Sequence, residues 1–448
     1  MSTTSRLVTS LATTEALAEL FSDTAVLQAM LDVEAALARV EARLGVIPAG
    51  AGGAITASAK AEYFDTAEIA RETLRTGTPA IPLVKALTLR VRDQDPAAAG
   101  FVHWGATSQD ISDTALVLLL RRARVLLAGS QGRLDAALAR LAADHAGTVM
   151  LGRTLMQPAP PVTFGLKAAG WLAALRRGWD RMEGAFEDAL LPQFGGASGT
   201  LASLGDRGIE VAEALAAELE LPCPEAPWHA HRDRLGWLVS ACGVYIGSLA
   251  KMARDLALLM QHEVGEAAEP SGSGRGGSST MPHKANPAGC AVALAAGYRL
   301  PGLVAGFLSA MPGEQERGLG GWHSEWPTMA GVIQTTGGAM ESMAEAAEGL
   351  SVDRARMRAN LEATRGVVFA ERAATLLAAR MGRDAAHRLL EEAVRRCAAE
   401  GRHLKDVLAG MPEIAGHPGA EGLRDLESPE AYLGSAEAFR VRLLEPEE

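Results

Sequence analysis

Residues able to do chemistry crowd into Gly272–Pro287, which reads GSGRGGSSTMPHKANP. Ser278 and Ser279 follow a run of glycines, and Met281, Lys284 and Asn286 come next, just before a helical pattern. The first six residues fit G-x-G-x-x-G and also the opening of a phosphate loop. A dinucleotide fingerprint follows a strand, opens a helix and is trailed by an acid about 20 positions on. Here a long helical pattern precedes the glycines, and residues 294–302 carry no acid. A phosphate loop needs Lys and then Ser or Thr after its second glycine, where this chain has Ser278 and Ser279. Residues 269–277 alone would pass for a flexible linker. A linker does not account for the lysine, asparagine and prolines that follow at fixed spacing.

A serine hydroxyl is a poor base because it holds its proton tightly. Backbone N–H groups of a glycine-rich turn, a nearby lysine and a helix N-terminus all favour the alkoxide. Asn286 and Pro287 are good opening residues for a helix, and the same donors suit a carboxylate ligand. The segment therefore suggests a serine, Ser278 or Ser279, suited to proton transfer or to a carboxylate site beside a helix N-terminus with Lys284 close by.

Other stretches carry weaker signals. In VHWGATSQD (102–110), His103, Thr107 and Ser108 could meet a ligand, although Thr107 and Ser108 could equally cap a helix beginning near Gln109. Arg153, Thr154 and Gln157 lie in GRTLMQPAPPVTFGLKAAGW (152–171); an isolated arginine there is ordinarily a solvated charge. His229 and His231 in WHAHRDR (228–234) have an i, i+2 spacing found at metal sites, but no third ligand follows at diagnostic spacing. A carboxylate-binding or structural role for these histidines and Arg232 is expected instead, and no metal. His323 and Glu325 in GGWHSEW (320–326) read as a glycine-flanked loop that supplies a further acid or binding group. His145, His387, His403 and His417 read as surface residues.

The elements that must position these groups are helical. Alanine and leucine abound, aromatics are 4%, and β-branched residues are sparse. Helices are expected over 14–45, 54–76 and 83–92, with TGTPAIPLV as a loop. Apolar residues then recur at alternating spacings of three and four through 108–145, 161–190 and 232–263, the seam of long helices packed at shallow angles. Runs over 288–310 and 327–349 complete a central bundle of five. Shorter helices follow over 352–361, 367–381, 383–400, 402–409 and 435–443. No segment alternates strongly enough to demand a sheet, so the expected class is all-α. The expected domains are 1–103, 104–350 and 351–448, the outer two smaller and helical. Long helices with more than one apolar face usually bury the second against another subunit, so a homo-oligomer is expected.

The formal net charge of -11 argues against a nucleic-acid or membrane surface, though not against a small anionic substrate held by local cations. The four cysteines lie far apart with no C-x-x-C pair, which suits a reducing cytoplasm. The N-terminal stretch lacks the apolar core of a signal peptide, and no run reaches about 18 uninterrupted apolar residues.

GSSTMPHKANP (277–287) resembles the signature G-S-S-x-M-P-x-K-x-N-P of the fumarase/aspartase superfamily at every fixed letter. The 102–110 stretch resembles its H-x-G-x-T-S-x-D region and the 152–171 stretch its G-R-T-x-x-Q region, so the likeness spans nearly the whole chain. It implies a homotetramer in which three regions from three subunits meet at each active site, with no cofactor. It also implies Ser278 as the proton-transfer residue. His103, Thr107, Ser108, Arg153, Thr154, Gln157, Arg232, Ser279, Met281, Lys284, Asn286 and His323 would then contact a small anionic polycarboxylate. Within the superfamily the chain is similar to the branch that lactonises 3-carboxy-cis,cis-muconate, through AIPLVKAL (80–87), VTFGLKAAGWL (162–172), PWHAHRDRL (227–235) and GGWHSEW. Elimination members carry His directly after G-R-T, where this chain has Leu155. Ala285 stands where Arg is common. The alternatives are a lyase acting on another substituted succinate and an inert structural member, against which the intact Ser278, Lys284 and Asn286 argue.

Overall fold

The computed structural model describes residues 7–271, 276–277, 280–281, 284–414, 423, 426 and 428–445. The class is all-α. The chain forms two compact units, each drawing on three segments: Met1–Gly132, Arg177–Ala250 and Val292–Ser342 in the first, Arg133–Arg176, Lys251–Ala291 and Met343–Glu448 in the second.

The first unit opens with α1 (Glu15–Leu20) and α2 (Asp23–Arg43). These replace the single helix expected over 14–45. Ser22 interrupts the run because its hydroxyl accepts the Ala25 N–H at 3.3 Å and so starts a new helix. The expected 54–76 helix is likewise two, α3 (Ala49–Ser58) and α4 (Thr66–Thr76), the second capped by Asp65 at the Ala67 and Glu68 N–H groups. TGTPAIPLV is only partly a loop, since α5 (Ala80–Gln94) begins inside it. Pro79 precedes the helix and Pro82 sits in its first turn, where an N–H has no helical partner to lose.

Five long helices match the expected runs, the first three on the three-four spacing: α6 (Ser108–Asp144), α7 (Phe164–Ala189), α9 (Asp233–Leu259), α10 (Ala288–Ala310) and α11 (Gly321–Glu348), which starts six residues before the expected 327; the short α8 (Gly208–Glu218) lies between α7 and α9. In the first unit the apolar seam buries Met182, Phe186, Leu238, Cys242 and Tyr245. The Tyr245 hydroxyl donates to Gln131 Oε1 at 2.6 Å, which satisfies its polar end inside the seam. In the second unit Trp171 Nε1 donates to Asp255 at 2.8 Å and Arg176 grips Asp135 at 2.6 and 2.8 Å. Helices α9 and α10 are long and apolar enough to cross a membrane by length and composition. The apolar window of α9 is 56% buried, as befits a core helix, and that of α10 only 22%.

One region departs from the expected all-helical course. Val149–Thr154 (β1) and Gln157–Thr163 (β2) form an antiparallel hairpin with Thr154 opposite Gln157. Its two-residue turn, Leu155–Met156, has φ of 49° and 65°, a left-handed pair normally supplied by Asn-Gly. A Cβ on Gly152 would lie 2.2 Å from the Pro160 carbonyl oxygen, so only glycine permits this strand pairing. A shorter ladder joins Ala267–Ala268 (β3) to Ser351–Val352 (β4).

The second unit further contains α12 (Arg354–Glu362), α13 (Ala370–Met381), α14 (Arg383–Glu400), α15 (Leu404–Ala409) and α16 (Ala436–Leu444) among the described residues. Val149 and Leu151 of β1 pack into a cluster with Leu361, Phe369, Leu390, Val407 and Leu408, which seats the hairpin. His145 is buried rather than at the surface: its Nδ1 lies 3.0 Å from Thr148 Oγ1, and burial and the Arg354 charge hold its imidazole below the ordinary range. His403 is half-buried and caps α15 through the Lys405 N–H, His387 is exposed, and His417 lies outside the described residues.

Helix α2 carries two carboxylates into the core of the first unit, Glu34 and Glu41. Both Glu41 oxygens lack a hydrogen-bond partner, and burial, reinforced by the Glu34 charge, pushes its carboxyl up to about 8. A raised carboxyl keeps its proton in the folded state while the unfolded chain releases it, so stability falls as pH rises from the ordinary value of 4.5 towards 8. Glu41→Met is therefore expected to be more stable than wild type. The gap should widen by roughly 1.4 kcal/mol per pH unit across that window. Urea unfolding at pH 5.5 and pH 8 measures it, and an equal gap at both would show that Glu41 is solvated or paired.

Candidate active site

The N-terminus of α6 is held by one buried carboxylate. Asp110 accepts the N–H groups of Thr107 at 3.0 Å, Gly195 at 3.0 Å and Gly196 at 2.9 Å, and its Oδ1 lies 2.7 Å from His229 Nε2. At this helix end Asp110 thus takes the Thr107 N–H, while the Thr107 hydroxyl is engaged by Arg317. Ser108 is the first residue of α6 and half-buried. Thr107 Oγ1 accepts from Arg317 Nη1 at 3.0 Å, and Arg317 also donates to the carbonyls of Gly196 and Ala197 at 3.3 and 3.1 Å.

Upstream, His103 occupies a left-handed conformation at φ 62°, and Gly105 another at 70°. A Cβ on Gly105 would lie 2.8 Å from Leu204, which fixes the turn that presents His103. His103 Nδ1 lies 2.7 Å from Glu34 Oε1. Burial pulls the imidazole down, but the charge and hydrogen bond of Glu34, with a smaller contribution from Asp110, outweigh it and raise its pKa above the usual value. An imidazole with a raised pKa, on the turn that leads to the Thr107 and Ser108 hydroxyls, suits carboxylate binding.

Arg232 sits deeper in the same unit and is 5% exposed. It binds Asp113 at 2.8 and 3.1 Å and Glu325 at 2.6 to 3.1 Å, with its guanidinium 4.7 Å from the Trp228 ring. Asp113 further accepts from Trp322, Gln109 and Gln193. Burial pushes the Glu325 carboxyl up and Asp113 adds to this, with Arg232 pulling against both. Arg232 therefore has its fork occupied by the chain's own carboxylates. In WHAHRDR, His229 and Arg232 are buried and His231 is exposed, so the two histidines do not converge. Among the described residues no group of three His, Cys, Asp or Glu could hold a metal ion.

GGWHSEW is helical, not a loop. Helix α11 starts at Gly321 and continues through Pro327, whose missing N–H forfeits a single bond near the helix start. His323 is half-buried against Trp322 and Trp326, ring centroids 5.0 and 5.6 Å away, and its Nδ1 has no hydrogen-bond partner.

In the second unit, Arg153 on β1 forms a bidentate pair with buried Glu266 at 2.6 and 2.9 Å, and Asn360 donates to the same carboxylate at 2.8 Å. Thr154 and Gln157 are exposed at the hairpin tip, and Leu155 beside them is 96% exposed.

Of the signature segment, Ser278 and Ser279 lie outside the described residues. Its flanks are pinned together: Asn286 N–H donates to the Gly276 carbonyl at 2.8 Å, and Gly277 bridges Ala285. Gly276 has φ 67°, and a Cβ there would lie 2.6 Å from the Asn286 carbonyl oxygen. Lys284 N–H closes a turn onto the Met281 carbonyl at 3.0 Å; the Lys284 side chain is exposed and Met281 is 42% exposed. The helix N-terminus expected to polarise this segment is already engaged. Buried Glu269 accepts the N–H groups of Gly289 and Cys290 of α10, both at 2.8 Å. A carboxylate at this place offsets the positive end of the helix dipole.

Sequence reasoning missed Glu34, Asp110, Asp113, Glu269 and Arg317. Asp110 alone had a local signal, the fixed acid that follows Thr107 and Ser108.

Residues 10–302 match the family model described as lyase, and residues 366–443 that described as adenylosuccinate lyase C-terminus. A 3-carboxy-cis,cis-muconate cycloisomerase of Bradyrhizobium diazoefficiens is 50% identical over 94% of each chain. A nitrosuccinate lyase of Streptomyces davaonensis is 42% identical over 93% of this chain and 89% of its own. The crystal structure of 3-carboxy-cis,cis-muconate lactonizing enzyme from Pseudomonas putida superposes with a TM-score of 0.93 at 48% identity, covering 98% of each chain. The chain belongs to the lyase family, and with it to the fumarase/aspartase superfamily whose signature runs from Gly277 to Pro287.

Proposed function

We propose that this protein lactonises 3-carboxy-cis,cis-muconate. One carboxylate oxygen of the diene adds to an alkene carbon and closes a γ-lactone. The electron pair of that alkene moves to the neighbouring carbon, which becomes the aci-carboxylate of its own carboxyl group and then takes a proton. The reverse is removal of a proton α to a carboxylate with departure of a β oxygen, the pattern common to the superfamily.

The observation that carries this reading is half identity to a cycloisomerase across 94% of both chains. Leu155 agrees with it: where eliminating relatives place a histidine, the exposed hairpin tip here carries an aliphatic side chain with no proton to move. Lys284, Asn286 and loop amides would hold the carboxylate that gathers charge, with Ser278 as proton donor and Ser279 and Met281 beside it. His103, Thr107 and Ser108 would bind a second carboxylate, and Arg153, Thr154, Gln157 and His323 would line the remainder. Arg232, paired with Asp113 and Glu325, would serve the fold rather than contact the substrate.

The functional form would be a homotetramer in the cytoplasm, with each site assembled from three subunits. The thinly covered apolar surface of α10, which includes Tyr298 at 73% exposure, supports burial against another copy. Light scattering after size exclusion tests the tetramer. The function is tested by following loss of the diene's ultraviolet absorbance with 3-carboxy-cis,cis-muconate, with turnover expected at a rate ordinary for enzymes, about 1–1000 per second. No diene loss, together with release of fumarate from a succinyl adduct, would replace this reading with that of a lyase.

A further inference from the structure

His103 and Glu34 come from elements 69 residues apart, yet their contact is among the shortest side-chain pairs of the first unit, Nδ1 to Oε1 at 2.7 Å. The Glu34 side chain is 1% exposed and that of His103 18%, so the carboxylate is the interior end of the pair and the imidazole its outer end. Glu34 Oε2 makes no hydrogen bond. The neighbouring charges do not neutralise Glu34: Asp110, from the start of α6, is itself a carboxylate engaged by His229 and three backbone N–H groups. Glu41, two turns along α2, is also an acid. Arg317 reaches Thr107 and the carbonyls of Gly196 and Ala197. A buried carboxylate so placed requires a cation, and the imidazole of His103 is the group bonded to it. The left-handed backbone at His103 and the glycine two residues on hold the ring at this spot.

We propose that Glu34 is a positioning residue. Its carboxylate fixes the His103 ring through Nδ1, so that Nε2–H faces away from the core as a charged donor for a substrate carboxylate. The proposal rests on the reading that His103 contacts the substrate. It gives the first unit a cationic carboxylate site on a histidine, although Arg232 is consumed by its own ion pairs. Without such a partner an imidazolium loses its charge within the physiological range, and the neutral ring binds an anion more weakly. With Glu34 behind it, the donor stays charged to higher pH.

The test compares wild type with Glu34→Gln and Glu34→Asp, each checked for native circular dichroism, by two readouts. The first is the pH dependence of kcat/KM on 3-carboxy-cis,cis-muconate. For Glu34→Gln the ratio to wild type is expected to be modest at pH 6 and to fall by about tenfold or more by pH 8.5, carried by KM rather than kcat. The second is acylation of His103 by diethylpyrocarbonate, read on its peptide by mass spectrometry; the reagent attacks only the neutral ring and needs no turnover. Acylation is expected to begin at lower pH in Glu34→Gln than in wild type, with Glu34→Asp between them. Coincident acylation profiles, or a kcat/KM loss uniform in pH, would overturn the proposal. If the wild type fails to turn over the diene, the functional reading fails, while the acylation profiles still decide whether Glu34 governs His103.

Discussion

Ser278→Ala is expected to lower kcat on 3-carboxy-cis,cis-muconate by about a thousandfold while leaving KM within a few-fold of wild type. The range follows from what a positioned proton donor is worth, roughly 10²–10⁴ in rate. Ring closure forms the lactone but leaves charge on an aci-carboxylate, and the product is complete only when the adjacent carbon is protonated. Ser278 is proposed as the donor from its place in the signature, which resembles that of the superfamily at every fixed letter. Glu269 engages the Gly289 and Cys290 N–H groups of α10. On the proposed reading the helix would therefore contribute less to stabilising an anion, and more of that stabilisation would fall to Lys284. Lys284→Met should accordingly lose a comparable factor, about 10²–10³, by removing a donor to the charge that develops in the transition state. Steady-state kinetics of both variants separate the roles. A Ser278→Ala enzyme within tenfold of wild type would mean that another group or solvent supplies the proton.

The long helices were legible because a 3–4 apolar spacing sustained over 25 residues or more lines up on one face only in a helix. The hairpin was not. Pro158, Pro160 and Pro161 remove ladder donors from β2, and the Leu155–Met156 turn uses a left-handed pair without the Asn or Gly that would announce it. The prolines at 79, 82 and 327 misled in the opposite direction. Each was read as a loop or a helix start, while the structure tolerates Pro79 and Pro82 at a helix N-terminus and Pro327 within a helix. At the candidate site, the signature's letters mark segments but do not say what each side chain touches. Glu269 acts on an N–H pair 20 residues away, and Glu34 on a ring 69 residues away, distances over which one sequence carries no pairing signal. Arg232 shows the same limit, because an arginine bound to a substrate and one bound to Asp113 and Glu325 are spelled identically.

That ambiguity yields the largest expected effect on stability. Arg232→Met should destabilise the protein by about 3–5 kcal/mol, the usual consequence of leaving buried charges without their partner. Asp113 would keep Trp322, Gln109 and Gln193 as donors, whereas the hydrogen bonds described for Glu325 all run to Arg232. Glu325 is therefore the orphan, and burial already pushes its carboxyl up. Without Arg232 that rise is larger, so in the variant the folded state holds the proton and the unfolded state releases it. Stability then falls as pH rises above the ordinary carboxylate range, and Arg232→Met should be closer to wild type at pH 5 than at pH 8. Adding Glu325→Gln removes the stranded charge and should recover much of the loss, a coupling measurable by urea unfolding of the four-member cycle. The recovered double variant also distinguishes the two roles for Arg232. If the guanidinium serves the fold, the double variant keeps kcat/KM within about tenfold of wild type. If it contacts the substrate, as the sequence alone suggested, restored stability should leave kcat/KM depressed by about a hundredfold or more, the scale of a lost charged contact. The geometry favours the first outcome, because a ligand could reach Arg232 only by displacing one of two carboxylates already within hydrogen-bonding distance.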